Sequence, residues 1–426
     1  MTQAAGADRL RHLGVRSEEM IEALARITAD EGQITRLYLS PEHRRAATLV
    51  ADWMGDAGLT VREDALGTVC GVLPASEPDA GNKTLLVGSH IDTVINAGAY
   101  DGTFGVVAGI LAAQEIKARG IKLPFTLEIL AFGDEEGVRF PSTLLSSSGV
   151  AGTVTPADLE VTDASGVRLA DALTAFGGQP EAALHLGRDR DSVLGYLEVH
   201  IEQGPVLEAE GLGVGVVTSI AGANRYSVTV SGMAGHAGTV PMHLRSDALV
   251  GAAELICAIH RIAGQASDHG VVATVGELSV APGAVNVIPQ DVVFSLDLRA
   301  ATDEPRHEAA RAIEKAGAEI ASRHGLTINF NQYHEVVTCL CADRFQDAAE
   351  TALRTLGVRP LRLMSGAGHD GQAMAKLTDI GMLFVRCEGG ISHNPLENVD
   401  RDDMGLAVEA LIRWIETIAE EERAVS

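Results

Sequence analysis

Residues 123–141 read LPFTLEILAFGDEEGVRFP, and the fold turns on how that run is divided. Phe125 to Phe132 has the length and apolar character of a strand, and Gly133 ends it. Asp134, Glu135 and Glu136 follow at once. A strand end that delivers three carboxylates to one place needs a cation or a proton for them to share.

Working outward, KTLLVGSH (83–90) is a short apolar run of the kind buried in a parallel sheet, and GTFGVVAGILAAQEIKARG (102–120) is an apolar helix rich in small residues. TVREDALGTVCGVLP (60–74) reads as strand. Before it, Pro41 to Ala57 predicts a helix with Ser40 as N-cap, Pro41 in the first turn and Gly58 as its stop, and Leu10 to Asp30 predicts another. Strand and helix alternate through the first 140 residues, which argues an α/β layer architecture with parallel strands.

The middle differs. RYSVTVSG (225–232), a helix from about Arg245 to Gln265, VVATVGELSV (271–280), VIPQDVVFSLDLRA (287–300), a helix from about Thr302 to His324 and LTINF (326–330) compose a small α+β unit with ferredoxin-like spacing. It reads as an insertion over 213–329, with 1–212 and 330–426 forming the other domain. The α/β pattern resumes with helix FQDAAETALRTLG (345–357), strand MLFVRC (382–387) and a last helix near Asp402 to Glu420.

A formal charge of −25 opposes binding to phosphate backbones or anionic lipid, so a small-molecule partner is expected rather than nucleic acid or membrane. The first thirty residues lack the basic and apolar regions of a signal peptide, which predicts a cytoplasmic protein. Five cysteines without a C-x-x-C pair indicate neither a disulfide framework nor a zinc ribbon.

Polar clusters sit at the ends of the predicted strands. His90 ends one, with Asp92 two residues on, where a carboxylate could fix the imidazole tautomer beside a metal. Asp101 precedes the apolar helix and could cap it or bind a metal. Glu135 and Glu136 end the opening strand; LEVHIEQGP (197–205) offers His200 and Glu202 by alternation, with Gln203 beside them. EGGISHNPLE (388–397) places His393 on a loop, and GAGHDGQ (366–372) places His369 and Asp370 on another, for support of the site or for helix capping. Each motif alone has an ordinary surface or capping explanation. Together, three imidazoles and two carboxylates from strand ends of one layer converge on the carboxyl edge where open sheets place their sites. That is a ligand set for borderline divalent ions such as Zn²⁺, Mn²⁺, Co²⁺ or Ni²⁺.

The ordered set GSHIDTV, YDG-x-x-GV, DEEG-x-RF, HIEQGP, GHAGTVPM, NVIP, DLR, GAGHD and GG-ISHNPLE resembles the hydantoinase/carbamoylase branch of the M20 metallopeptidase-like amidohydrolases, from about residue 35 to 420. Within it, TRLYLSPEH, GDEEGVRFP and MLFVRCEGGISHNP look most like the allantoate amidohydrolases, with N-carbamoyl-L-amino-acid hydrolases and β-ureidopropionases as near relatives. The resemblance implies a metallopeptidase-like α/β/α catalytic domain with an inserted lid and dimerisation domain. It implies two divalent metals, Mn²⁺ or Zn²⁺ first: Asp101 bridging, His90 and His200 on one, Glu136 and His393 on the other. Glu135 would be the general base, Asp92 would orient His90, His236 would stabilise the oxyanion, and Gln203, Asn286 and Arg299 would bind the substrate. Some of these would reach across a homodimer. Ala99, Thr103, Phe104 and Ser146–Ser147–Ser148 depart from the branch's usual residues and touch no implied ligand. A metallopeptidase, or a carboxylate binder without turnover, is the rival reading; the latter would lack a ligand or the base, and neither is missing.

Overall fold

A computed structural model describes residues 3–77 and 82–425, and the chain divides into two compact units. The larger comprises residues up to Thr218, Cys341–Leu363 and Gly368 onward. Its centre is four strands, β1 (Thr84–His90), β2 (Thr126–Phe132), β3 (Val193–Ile201) and β4 (Ile380–Val385), paired in parallel in the order β2-β1-β3-β4. Nearly every residue in them is buried, as the unbroken apolar runs require of strands covered on both faces. The sheet is not parallel throughout. Thr60–Glu63 and Val69–Leu73 form a hairpin through the DALG turn and pair antiparallel beside β2, and Val214–Ile220 pairs antiparallel with β4. A connection of five residues, Asp64–Thr68, cannot return a strand in parallel, so the first two strands depart from the sequence expectation.

Register decides where the chemistry falls. His90 pairs with Phe132 and His200 with Phe384, so the four strands end together at one edge. The loops leaving that edge carry Asp92, Glu135 and Glu136, Gln203, and His393. The helix α1 (Thr103–Arg119) starts there too, and it is buried around most of its circumference because it packs on β1, β2 and β3 and is covered by Gln3–Ala25 and Arg401–Val425. Its all-round apolar sequence is the direct record of that position. Ser40 caps Pro41–Asp56 by accepting from the His43 amide at 3.1 Å, as the sequence predicts.

The smaller unit, Ser219–Leu340 with Met364–Ala367, is a βαββαβ arrangement. Its sheet is antiparallel, with Asp291–Ala300 and Gly222–Ser231 at the centre, Leu278–Ala281 and Val272–Thr274 beyond the first and Thr327–Val336 beyond the second. Helices Ala248–Gln265 and Asp303–His324 pack on it around Val228, Val230, Leu255, Phe294, Leu296 and Ile313. The unit runs past residue 329 because Thr327–Val336 pairs with Gly222–Ser231 from Ser231 back to Ala223. Among the described residues no helix is long and apolar enough to cross a membrane.

Candidate active site

The ends of β1 and β3 bring two imidazoles to one carboxylate. His90 Nδ1 lies 3.1 Å from the Asp92 carbonyl and His200 Nδ1 3.0 Å from the Ile201 carbonyl, so each ring donates from Nδ1 and presents the lone pair of Nε2. Those two Nε2 atoms stand 3.5 and 3.2 Å from the same Oδ1 of Asp101. The other oxygen, Oδ2, lies 3.3 Å from His393 Nε2, which is itself 3.5 Å from Glu136 Oε2. Asp101 therefore shows one oxygen to each of two groups, His90–Asp101–His200 and Asp101–Glu136–His393, both of which have the spacing to hold a metal ion. Lone pairs on buried imidazoles aimed at a carboxylate oxygen repel unless a cation or proton lies between, and His90 Nε2 has no hydrogen-bond partner among the described residues. The donor set, three nitrogens and two carboxylates of which one, Asp101, is shared, fits two divalent ions.

Asp101 does not cap α1. The N-cap is Gly102, without a side-chain bond, and Asp101 Oδ2 instead accepts from Gln203 Nε2 at 2.7 Å and Ser392 Oγ at 2.6 Å. Gly102 sits at φ 64° with His90 so close that a Cβ would overlap the imidazole.

The three acids of the opening stretch separate in role. Asp134 turns the chain at φ 63°; its side chain is buried and accepts from Ser142 Oγ at 2.8 Å. Glu135 and Glu136 face the site, and the Asp92 carboxylate fixes both by accepting their amides at 3.2 and 3.3 Å. Asp92 Oδ1 also lies 3.4 Å from His90 Nδ1.

Proton affinities register the crowding. Burial, then the charge of Asp101, pushes Glu136 up to about 7 against the opposing His90 and His393. Burial also holds Glu135 well above the carboxylate range, with Asp370, Glu136 and Asp92 adding to it. Burial would raise Asp101 too, but His200, His393 and His90 outweigh it and hold this carboxyl well below its ordinary value. Its hydrogen bond to Asp101 raises His393 to about 9.

Glu202 does not join the site. The strand ends at Ile201, and Glu202 turns to accept the Val206 and Leu207 amides at 2.7 and 2.9 Å. His369 and Asp370 are buried behind it: the His369 ring meets His200 edge-on at 4.4 Å, and Asp370 makes no capping bond to the short helix after it, burial raising its pKa to about 8. Two neighbours escaped the sequence reading. Glu198 accepts from Ser89, Tyr196 and the Gly371 amide beneath the site, and Glu397 accepts the Tyr100 and Asp101 amides.

His236, Asn286 and Arg299 belong to the smaller unit. His236 pairs with Val287 in a two-stranded ribbon, and the Ala237 amide donates to the Asn286 carbonyl at 2.9 Å, so His236 and Asn286 are neighbours on an exposed tip. Arg299 gives Nε and Nη2 to Asp297 at 2.8 and 3.0 Å and Nη1 to the Gly366 carbonyl at 2.5 Å, which engages three of a guanidinium's five N–H donors.

Residues 86–417 match the peptidase family M20/M25/M40. The chain is 41% identical to an N-carbamoyl-L-amino acid amidohydrolase of Geobacillus stearothermophilus, over 92% of this chain and 95% of that one. It is also 41% identical to an allantoate deiminase of Arabidopsis thaliana, over 93% and 81%. A hydantoinase/carbamoylase family amidase from Burkholderia ambifaria has a similar structure, with a TM-score of 0.87 at 32% identity, covering 94% of this chain and 96% of that one.

Proposed function

Because this chain belongs to peptidase family M20/M25/M40, among its hydantoinase/carbamoylase-type amidohydrolases, we propose that it hydrolyses a ureido C–N bond of a small carboxylate, allantoate being its preferred substrate. The observation that carries the reading is Asp101, whose two oxygens face different imidazole groups while Glu135 stands 3.8 Å from His90. His90, Asp101 and His200 would hold one divalent ion and Asp101, Glu136 and His393 the other, manganese or zinc. Bound there, the ions supply a more acidic water and a polarised carbonyl.

Glu135 takes the proton of the attacking water and returns it to the departing nitrogen, a double duty suited to a carboxyl whose proton affinity burial has raised. Asp92 holds Glu135 in place through its amide. His236 donates to the developing oxyanion, a contact worth about 3 kcal/mol in a preorganised site. Gln203, Asn286 and the two remaining N–H groups of Arg299 bind the polar ends of the substrate, Arg299 taking the carboxylate. The smaller unit acts as lid and dimer contact. Allantoate yields ureidoglycine, carbon dioxide and ammonia. N-carbamoyl-L-amino acids are the second reading, favoured by the equal identity to the Geobacillus relative.

The test is ammonia release by the manganese-loaded protein from allantoate, N-carbamoyl-L-amino acids and N-carbamoyl-β-alanine at equal concentration. Preference for a carbamoyl acid moves the substrate, and silence on all three removes the reading. Glu135→Gln is expected to keep its metal and lose about 10²- to 10⁴-fold in turnover; full activity there overturns the base assignment.

A further inference from the structure

We propose that Glu397 is a positioning residue that ties the Asp101 turn to the Ser392–His393 loop, and so sets the affinity of the metal group Asp101–Glu136–His393. The inference rests on the reading of these residues as ligands, but not on any particular substrate. Glu397 is buried at 5% exposure, four residues beyond His393 and far along the chain from Asp101. Its Oε1 accepts two successive amides, Tyr100 at 2.7 Å and Asp101 at 3.1 Å. Its Oε2 lies 3.2 Å from Ser392 Oγ, which is also 2.6 Å from Asp101 Oδ2. One carboxylate thus holds the backbone of the shared ligand and packs against Ser392, the residue next to His393, whose single hydroxyl proton goes to that ligand's second oxygen.

The placement is built rather than incidental. Gly98 lies against the Glu397 carboxyl so closely that a Cβ would overlap it. His393 needs such support, since it sits on a loop at φ 53° with its side chain 49% exposed, whereas His90 and His200 are buried at strand ends. Tyr100 OH reaches Asn398 at 3.3 Å, so the two segments meet at a second point. A carboxylate accepting two adjacent amides can be replaced by an amide oxygen but not by a methyl group.

The experiment is calorimetric titration of the metal-stripped full chain with manganese, with electron paramagnetic resonance of the loaded protein to separate paired from isolated ions. Wild type is expected to take two equivalents. Glu397→Ala should weaken the second equivalent by 10- to 100-fold, the range for partners that orient a ligand, and move the first by much less. Glu397→Gln, which keeps the Oε1 acceptor, should recover most of that loss. Ser392→Ala, which removes only a hydroxyl and leaves the fold alone, should weaken the same equivalent, and it carries the test where Glu397→Ala does not fold. Two equivalents bound at wild-type affinity in Glu397→Ala or Ser392→Ala overturn the proposal. So does equal loss of both equivalents in Glu397→Ala and Glu397→Gln, the mark of a merely structural role. Wild type that binds two manganese ions yet releases no ammonia would instead refute the ureido hydrolysis and leave this inference standing.

Discussion

Replacing Asp92 by Asn separates two roles for that residue. Its carboxylate accepts the Glu135 and Glu136 amides at 3.2 and 3.3 Å, while His90 Nδ1 is nearer the Asp92 carbonyl, at 3.1 Å, than the carboxylate, at 3.4 Å. Asn keeps the carbonyl and one side-chain acceptor. Whichever way its amide turns, one of the two N–H groups then meets an NH₂. A hydrogen bond to a buried charged group is worth about 1.5–3 kcal/mol, and the surviving one weakens as it becomes neutral. The loop is thus loosened by about 2–4 kcal/mol. If that falls on the placement of Glu135, kcat drops by roughly 30- to 1000-fold. The His90 tautomer, held by the backbone, should survive. The assay pairs kcat for ammonia release with manganese titration in a His393→Ala background, where His90–Asp101–His200 is the one of the two proposed ion sites left complete. Affinity there should change by less than about threefold, a margin set against the 10- to 100-fold cost of losing a ligand's orienting partner. Unchanged turnover refutes the clamp, and a large loss of affinity in that background shows that Asp92 acts through His90 instead.

Gly102→Ala forces a side chain onto a backbone at φ 64° and into the His90 ring, so strain of about 1–3 kcal/mol and loss of one manganese equivalent are expected; a variant with wild-type Tm and two ions contradicts the packing. His43 is buried with Nδ1 accepting the Leu39 amide, and burial lowers its pKa to about 3. An imidazole depressed in the fold takes its proton first in the unfolded chain, so its contribution is whole above ~6.5 and is lost as pH falls towards 3, by up to roughly 4–5 kcal/mol. His43→Asn, which retains an acceptor and does not titrate, should flatten that limb of stability against pH in urea melts; an unchanged limb assigns it to other groups. Manganese at a hundred times its Kd should stabilise the protein by about 2.7 kcal/mol per site, reversed by chelation, and a Tm indifferent to both would count against the metal centre.

What could be read in the sequence was chemistry carried by single residues at strand ends. The apolar runs ending at His90, Phe132, Ile201 and Val385 fix four strand termini, and a parallel arrangement puts their loops at one edge whatever the remaining order. Periodicity says nothing of partners, so it cannot tell the antiparallel hairpin at Thr60–Leu73 from more of the parallel layer, and alternation continues to Glu202, one residue beyond the end of the strand. The supporting network was illegible for a related reason. Asp92 lies 43 residues from the Glu135 amide it holds, and Glu397 lies 296 from Asp101. A carboxylate that accepts backbone amides needs no particular residue opposite it, because every non-proline residue offers the same N–H. Ligands announce themselves by side-chain type; the groups that aim them bind to the common backbone, and only the folded register reveals which amide each one takes.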